Sequence, residues 1–165
     1  MEENALIQFP RTAEVLERYG KEFIELYKGN LVASGRPASG DLIDSLRYEV
    51  KLNAQTFAVD IHLKDYWKYI EDGTRPHWPP VDAIRRWIEV KPVIPRPMAN
   101  GKLPTPSQLA FLIGRKISRV GTEGKDDFKR ASDAIFERME MSVALAVTED
   151  LERQVSLIFT EFTHR

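Results

Sequence analysis

The stretch SLRYEVKLNAQTFAVDIHL, Ser45 to Leu63, decides the fold class of this 165-residue chain. Apolar residues occupy every second position in both halves of the stretch, and charged or small residues stand between them. The alternating apolar residues are Leu46, Tyr48, Val50 and Leu52 in the first half and Phe57, Val59, Ile61 and Leu63 in the second. A period of two is typical of half-buried β-strands, and the short NAQ segment between the halves indicates a turn. The pattern predicts an antiparallel hairpin over residues 44–63 with one buried face.

Helical periodicity stands on both sides of this hairpin. Before it, Val15, Tyr19 and Phe23 recur at four-residue spacing and predict a long amphipathic helix. After it, the sequence predicts a helix over residues 107–120, capped by Ser107, and a long C-terminal helix that opens at Asp126 or Asp127. The tail over residues 154–162 fits either a helix or a strand. We therefore predict an α+β fold, one domain over residues 1–165, with a small antiparallel sheet packed against a long N-terminal helix and C-terminal helices.

A second informative stretch is YWKYIEDGTRPHWPP, Tyr66 to Pro80, which holds two of the three tryptophans and three prolines. Its first half predicts a short helix with Asp65 as its N-cap and Gly73 at its end. The aromatic residues of this helix are predicted to cover the apolar face of the hairpin. Its second half predicts a tight loop, and the two final prolines predict the start of another helix.

Two further segments are predicted to connect secondary-structure elements. SGRPASG, residues 34–40, has the turn chemistry of a linker. KPVIPRPMANGKLPTP, residues 91–106, contains five prolines and a glycine, which excludes regular structure and predicts an extended loop.

The composition excludes several functional classes. The chain has no cysteine, so disulfides, thiolate nucleophiles and thiolate metal sites are excluded. Its formal net charge is -1, from 24 basic and 25 acidic residues, so the molecule as a whole lacks the positive charge of a nucleic-acid-binding protein. Apolar runs are shorter than the ~18 residues of a transmembrane helix, and the terminus MEENALIQFPR lacks the regions of a secretory signal. We expect no membrane segment and assembly in the cytoplasm.

Motifs for catalysis, cofactor binding and metal binding are missing from the sequence. There is no GxSxG elbow, no GxxxxGK(S/T) loop and no GxGxxG turn. The three histidines, His62, His77 and His164, have no second histidine or carboxylate at a metal-ligand spacing. Acids between residues 60 and 72 lie near His77 and could suggest a hydrolase or a metal-dependent nuclease, but acids are common at helix ends and in loops. We predict no catalytic residue, no cofactor and no metal, and therefore no enzyme.

DNA binding through residues 107–120 is an alternative function. Arg115, Lys116 and Arg119 on this predicted helix are similar to the basic residues of a recognition helix in helix-turn-helix proteins. The preceding segment is too rich in proline to provide the first helix of that motif, and Lys116 falls within the apolar arc. These two features favour an ordinary amphipathic helix.

Three patterns occur in a fixed order along the chain. ASGDLIDSLRYEV matches a TG-L-x-x-S junction before the first strand, with Ser39 in place of the usual Thr. The aromatic stretch matches Y-x-x-x-x-E-x-GT-R/K-P, and the segment from Leu109 to Gly124 matches L-x-x-x-I-x-x-x-I-x-x-x-G followed by GT-x-G. Taken together, from Leu31 to Leu157, the chain resembles the tail-completion, or neck, family of tailed bacteriophages, with its head-tail joining and minor tail members.

This resemblance implies a structural virion protein of the phage neck or tail-completion ring, assembled in the host cytoplasm. The protein would form a homo-oligomeric ring, contact connector or adaptor and tail proteins, and lie transiently near DNA in the lumen. The Pro-rich loop would reach between subunits or to partner proteins. The residues that the resemblance marks as structural motif or interface are Gly40, Leu42, Ser45, Tyr66, Glu71, Gly73, Thr74, Arg75, Pro76, His77 and Trp78.

Overall fold

The structure is a computed structural model that describes residues 8–35, 40–53, 55–91 and 93–163. Within these ranges it contains six α-helices and four strands. In chain order they are α1 (Pro10–Ala33), α2 (Asp41–Ser45), β1 (Arg47–Asn53), β2 (Thr56–His62), α3 (Trp67–Glu71), β3 (Gly73–Thr74), α4 (Val81–Val90), α5 (Pro106–Val120), β4 (Thr122–Glu123) and α6 (Asp127–Thr163). The predicted α+β class, with a small antiparallel sheet, a long N-terminal helix and a long C-terminal helix, is confirmed.

The chain forms two compact units. The first, which we call the hairpin unit, contains the residues up to Asn30, the segment Leu46–Leu63, and the residues from Phe128 onward. The second, which we call the clasp unit, contains Leu31–Ser45 and Lys64–Asp127. The sequence predicted one domain over residues 1–165 and contained no signal for this division.

The hairpin unit is built on the alternation that the sequence shows. Antiparallel pairing sets Tyr48 opposite Ile61 and Val50 opposite Val59, so one face of the β1–β2 sheet is apolar. Helix α1 packs on this face, where its Gly20 lies against the ring of Tyr48. The predicted hairpin is confirmed, but its strands occupy residues 47–62 rather than 44–63, because residues 44 and 45 belong to α2.

Helices α1 and α6 run antiparallel in the hairpin unit. The ring of Phe23 lies 4.9 Å from that of Phe128, and the hydroxyls of Tyr19 and Ser142 are 3.0 Å apart. At the far end, the carboxylate of Asp150 accepts hydrogen bonds from the start of α1. Helix α6 has 37 residues and includes residues 154–162, which the sequence left open between helix and strand.

Two predicted helix caps were wrong. Helix α3 has Tyr66 at its N-cap position and no side-chain capping bond, so Asp65 does not cap it. Helix α5 begins two residues earlier than Ser107 as a cap would require, because Thr105 and Gln108 form a reciprocal capping box around Pro106. Proline at the first helical position costs no hydrogen bond, which explains why the last proline of the loop starts the helix rather than blocking it.

Two of the aromatic residues that were predicted to cover the hairpin, Tyr66 and Tyr69, are 41% and 65% exposed. Within the hairpin unit, α1 and Phe9 cover the apolar face of the hairpin, and the ring of Phe9 lies 5.0 Å from that of Phe57. The four-residue spacing of apolar residues in α1 indicated an apolar stripe, but not which surface the stripe would meet.

Where they are described, the connecting segments have the irregular structure that their composition predicted. Residues 93–105 contain no helix or strand, as the proline content predicted. Residues 36–39 of the predicted linker and residue 92 of the Pro-rich loop lie outside the described residues. Across the described part of the chain, no helix has both the length and the apolar character needed to cross a membrane.

Candidate interaction surface

The clasp unit contains a very small antiparallel sheet, which we call the clasp. Its strands β3 and β4 pair Gly73 with Glu123 and Thr74 with Thr122. The hydroxyls of the two threonines are 2.9 Å apart, and the backbone amide of Thr122 donates to the Thr74 hydroxyl at 3.2 Å. The clasp joins two segments that stand 48 residues apart, and these are the GT of the second sequence pattern and the GT-x-G of the third.

Three glycines make this pairing possible. A Cβ atom on Gly73 would lie 2.1 Å from the carbonyl oxygen of Thr122, and one on Gly121 would lie 1.9 Å from that of Thr74. A Cβ atom on Gly124 would lie 2.1 Å from the carbonyl oxygen of Glu71. Gly73 and Gly121 also have positive φ angles, +75° and +72°, which disfavour other residues. The prediction that Gly73 ends a helix is confirmed, and Gly121 and Gly124 stand on either side of strand β4 of the clasp.

The carboxyl end of α3 is tied to the segment that follows β4. The backbone carbonyl of Glu71 accepts a hydrogen bond from the amide of Lys125 at 3.0 Å. The side chain of Glu71 is buried, unlike most carboxylates. Glu71 therefore belongs to the internal structure of the clasp unit and does not present its carboxylate to a partner.

The clasp carries an exposed loop tip, residues Arg75 to Trp78. The Nδ1 atom of His77 donates to the carbonyl oxygen of Arg75 at 2.9 Å, which closes the tip on itself. Trp78 is 52% exposed, and one edge of its ring packs against Phe111 of α5 at a centroid distance of 5.7 Å. The following residue, Pro79, is buried and anchors the tip. The tip thus presents a proline, an imidazole and a partly supported indole to solvent.

The first sequence pattern lies in the same unit. Gly40 has a φ of +85°, and its carbonyl accepts from the amide of Asp44 at the start of α2. Leu42 is buried, and the hydroxyl of Ser45 donates to the Leu42 carbonyl at 2.8 Å. These three residues shape and anchor α2, and none of them presents a functional group to solvent in the manner of the tip.

The first and second patterns also meet electrostatically. Partial burial, together with the charge of Asp41, raises the pKa of the Tyr66 hydroxyl above its ordinary value. Asp41 follows Gly40 of the first pattern, and Tyr66 opens the second.

A groove of about 850 Å³ lies between α4 and α5. Ile84 of α4 packs close to Gly114 of α5, since a Cβ atom on that glycine would lie 3.4 Å from its Cδ1 atom. Beyond this contact the groove is mostly apolar, with Trp87 and Val120 left exposed on its walls. The sequence predicted both helices but not that they would lie side by side, so the groove was missed.

The described residues do not assemble a chemical centre. No group of three or more histidine or acidic side chains in the described ranges could hold a metal ion. His62 lies on the hairpin, 3.3 Å from a carboxylate oxygen of Glu49, and His77 lies at the tip, in the other unit. His164 lies outside the described residues.

The exposure of the basic residues of α5, and the way α5 is connected to α4, are relevant to the alternative function of DNA binding. Arg115, Lys116 and Arg119 are all exposed, and Lys116 stands on the wall of the groove. In a helix-turn-helix motif, a turn of about 3–4 residues joins the two helices. Helices α4 and α5 are joined instead by the long segment from Lys91 to Thr105, so α5 is not presented as the second helix of such a motif.

No protein-family model, no curated protein and no solved structure matches this chain. The features of the chain that bear on function are the three sequence patterns, the clasp that two of them form, and the exposed surfaces of the clasp unit.

Proposed function

We propose that this chain is a structural protein of a tailed-phage virion. It forms part of the head-tail, or neck, connection or of the tail-completion ring, and it joins the connector to the tail during assembly in the host cytoplasm. The proposal extends the resemblance of the three sequence patterns, and it includes a homo-oligomeric ring whose lumen brings the protein transiently near DNA.

The observation that carries the proposal is the clasp. Sequence patterns that mark a family can reflect chance, but residues that meet in space have a physical reason to occur together. The glycines and threonines of the second and third patterns pair directly, and no larger side chain fits at the glycine positions. The patterns therefore describe one structural device, which holds an exposed tip at a fixed place.

The tip and the groove have the properties of protein contact surfaces. Aromatic residues are enriched in the cores of protein interfaces, because they supply a large contact area for few rotatable bonds. Trp78 and Trp87 are both partly exposed and partly supported by neighbouring residues. We assign the tip to contact with the connector or tail proteins, and the Pro-rich loop to a supporting contact.

A comparison of two aromatic substitutions tests the tip. Trp78→Ala is expected to abolish co-purification with the connector and tail proteins while far-UV circular dichroism stays unchanged. Tyr69→Ala is the matched control, because Tyr69 is an exposed aromatic residue of the same unit outside the tip. Equal binding by both variants would remove the tip from the proposal.

A wider test uses the Pro-rich loop and the intact assembly. Deletion of residues 92–102 is expected to reduce ring formation, measured by mass photometry, or the attachment of tails to filled heads. Unchanged ring formation together with unchanged attachment would contradict the role of the loop. A gene position between those of the connector and the tail tube is the expected genomic context.

The exposed arginines of α5 favour DNA binding as a second candidate. In that case the protein alone would shift duplex DNA with a steep dependence on salt, because bound phosphates release counterions. Arg115→Ala with Arg119→Ala would then abolish the shift. A neck protein is expected to show no such shift and to bind its protein partners equally well with both substitutions.

A further inference from the structure

The Pro-rich loop between α4 and α5 contains a tight turn over residues 98–102. The backbone amide of Gly101 donates to the carbonyl oxygen of Met98 at 2.8 Å, and the amide of Met98 donates to the carbonyl oxygen of Lys102 at 2.9 Å. Gly101 has a φ of +76°, which glycine adopts without strain. Asn100 stands at the corner of this turn, and it is the only asparagine of the chain that glycine follows directly.

The side chain of Asn100 is folded back along the peptide that follows it. Its Oδ1 atom accepts a hydrogen bond from the backbone amide of Lys102 at 3.1 Å. This is an Asx turn, in which the side-chain carboxamide takes the place of a backbone carbonyl. The arrangement holds the carboxamide carbon of Asn100 close to the backbone nitrogen of Gly101.

We propose that Asn100 is a site of spontaneous covalent modification, at which the folded chain converts this asparagine to aspartate and isoaspartate. The backbone nitrogen of Gly101 gives up its proton to water or hydroxide and attacks the Cγ atom of Asn100, so a new C–N bond forms. The bond between Cγ and Nδ2 then breaks, and the amino group takes a proton from water and leaves as ammonia. The product of this step is a five-membered succinimide ring.

Water completes the reaction by opening the ring at either of its two carbonyl carbons. Cleavage of the new C–N bond gives aspartate, and cleavage of the original peptide bond gives isoaspartate, in which the main chain runs through the former side chain. One water is consumed and one ammonia is released for each asparagine. The reaction needs no partner, and it does not depend on the proposed virion role.

Two features of the turn favour the attack. The amide of Lys102 donates to the oxygen that carries the negative charge of the tetrahedral intermediate, so it stabilises that charge as the donors of an oxyanion hole do. Gly101 is exposed, and no atom lies within 4 Å of the position that a Cβ atom would take. The nitrogen of Gly101 is therefore not shielded by a side chain.

One hydrogen bond opposes the attack and must open first. The Gly101 amide is bonded to the carbonyl of Met98, so its proton is lost only after that bond breaks. Asn100 and Gly101 are both exposed, and residues 93–105 contain no helix or strand. Such exposed loop bonds open at a small cost in free energy. The Asx bond lies within residues 100–102, so it does not require the bond to Met98.

The product changes the charge of its surroundings. Conversion places a carboxylate in a segment that has no acidic residue, and isoaspartate also adds one carbon atom to the main chain of the turn. The basic residues of this segment are Lys91, Arg96, Lys102, Arg115, Lys116 and Arg119.

Asn53, at the end of β1, is an internal control. Its Oδ1 atom accepts from the backbone amide of Gln55 at 2.9 Å, so its side chain forms the same kind of Asx turn, and it is also exposed. The residue after Asn53 is alanine, whose side chain hinders its nitrogen, and Asn53 is paired with Thr56 in the hairpin. We expect Asn53 to stay intact while Asn100 is converted.

Prolonged incubation of the purified full-length chain at mildly alkaline pH tests the proposal. Trypsin does not cut before proline, so Asn100 lies in the peptide over residues 87–102 and Asn53 in the peptide over residues 52–64. Mass spectrometry should show a gain of about 1 Da in the first peptide alone, and an isoaspartate-specific methyltransferase should label it. Equal conversion of both peptides, or an unchanged first peptide, would overturn the proposal.

Two variants test the chemistry. Gly101→Ala is expected to slow the conversion by about 10-fold or more, because a methyl group hinders the attacking nitrogen. Asn100→Gln keeps the carboxamide but would have to close a six-membered ring, so the conversion should disappear. Far-UV circular dichroism checks that both variants are folded. Conversion of Gly101→Ala at the wild-type rate would exclude the Gly101 nitrogen as the attacking group.

The wild-type chain in concentrated urea shows what the turn itself contributes. The folded chain is expected to convert Asn100 at least as fast as the unfolded chain, because the Asx bond positions the carboxamide and polarises its oxygen. Slower conversion in the folded chain would mean that the turn protects Asn100, and the proposal would fail.

Discussion

The two β-structures of this chain are specified in different ways. The hairpin pairs two seven-residue strands that adjoin in sequence, and its register follows from repeated apolar residues on one face. The clasp pairs two residues with two across a separation of 48 positions, and its register follows from glycines that let the backbones approach. Many apolar residues, each with a small contribution, set the register of the hairpin. The register of the clasp depends on a few glycines, which have no side chain. A single substitution should therefore damage the clasp much more than the hairpin.

The largest effect is expected from Gly121→Ala in the clasp. The new Cβ atom would lie 1.9 Å from the carbonyl oxygen of Thr74, which is backbone and cannot rotate away. The positive φ of Gly121 adds strain, so we expect a loss of roughly 3 kcal/mol or more in the free energy of unfolding. Urea denaturation measures the loss, and amide hydrogen exchange at Thr122 reports whether the clasp has opened.

Gly101→Ala separates the two causes of this effect. Gly101 has a nearly identical φ of +76°, but no atom lies within 4 Å of its added Cβ. Its substitution should cost only the backbone strain, about 1 kcal/mol. Equal losses for Gly101→Ala and Gly121→Ala would mean that close approach of the backbones does not determine the clasp.

The hairpin unit also contains a contact between residues that are distant in the sequence, and its contribution to stability can be compared with that of the clasp. The carboxylate of Asp150 is buried and accepts bonds from the amide of Thr12 at 2.9 Å and its hydroxyl at 2.8 Å. It thereby caps the start of α1 from a distance of 138 residues along the chain. Asp150→Ala would leave these donors buried and unpaired, which should cost about 2–3 kcal/mol.

The neighbouring acid provides the control for this prediction. The carboxylate of Glu149 forms an exposed ion pair with the side chain of Arg11 at 3.4 Å. Glu149→Ala should therefore change the midpoint of thermal unfolding very little. If the two alanine variants unfolded at the same temperature, the buried cap would have no special importance.

The difference between local sequence patterns and long-range contacts explains why part of the fold could be predicted and part could not. The hairpin, the helix after Pro79 and Pro80, and the start of α6 each depend on a pattern of neighbouring residues, and these predictions are confirmed. The clasp and the Asp150 cap depend on contacts between distant segments, for which one sequence carries no local pattern. Tyr66 and Tyr69 were predicted to pack on the hairpin but are exposed, and no local pattern indicated this exposure.

The candidate interaction surface likewise has features that could be predicted from the sequence and features that could not. The tip was predicted as a loop from its prolines and from Gly73, and it lies where that prediction placed it, after α3. The burial of Glu71 and the groove between α4 and α5 were missed, because both depend on which helices become neighbours. The glycines of GT-x-G were the one available signal of the clasp, since paired glycines beside a threonine indicate close backbone approach.

A smaller effect is expected from the cap of α5, which tests a local prediction that was wrong. Thr105→Ala removes the side-chain acceptor of the Gln108 amide and half of the capping box. The expected loss is about 1 kcal/mol in the free energy of unfolding. Ser107→Ala should have almost no effect, because Ser107 lies inside the first turn. The opposite ranking in urea denaturation would restore Ser107 as the cap.

The smallest effect is expected on the polar face of the hairpin, where Lys51 pairs with Asp60. The hydrogen bond from Lys51 lowers the pKa of the Asp60 carboxyl and raises the pKa of the Lys51 ammonium. A lowered carboxyl pKa stabilises the fold above the pKa of the unfolded chain, and this contribution disappears as the pH falls through the folded value. A raised ammonium pKa stabilises the fold below the unfolded value, and this contribution disappears as the pH rises through the folded value.

Lys51→Ala tests this sign and the comparison between the two β-structures together. The carboxyl pKa of Asp60, measured by NMR titration, should rise in the variant, and the urea midpoint should change only slightly at neutral pH. That small change should vanish in 1 M salt, because exposed charges are screened within about 3 Å at that concentration. A change as large as that of Gly121→Ala would mean that one exposed pair determines the hairpin. The alternation of apolar residues would then not be sufficient to set its register.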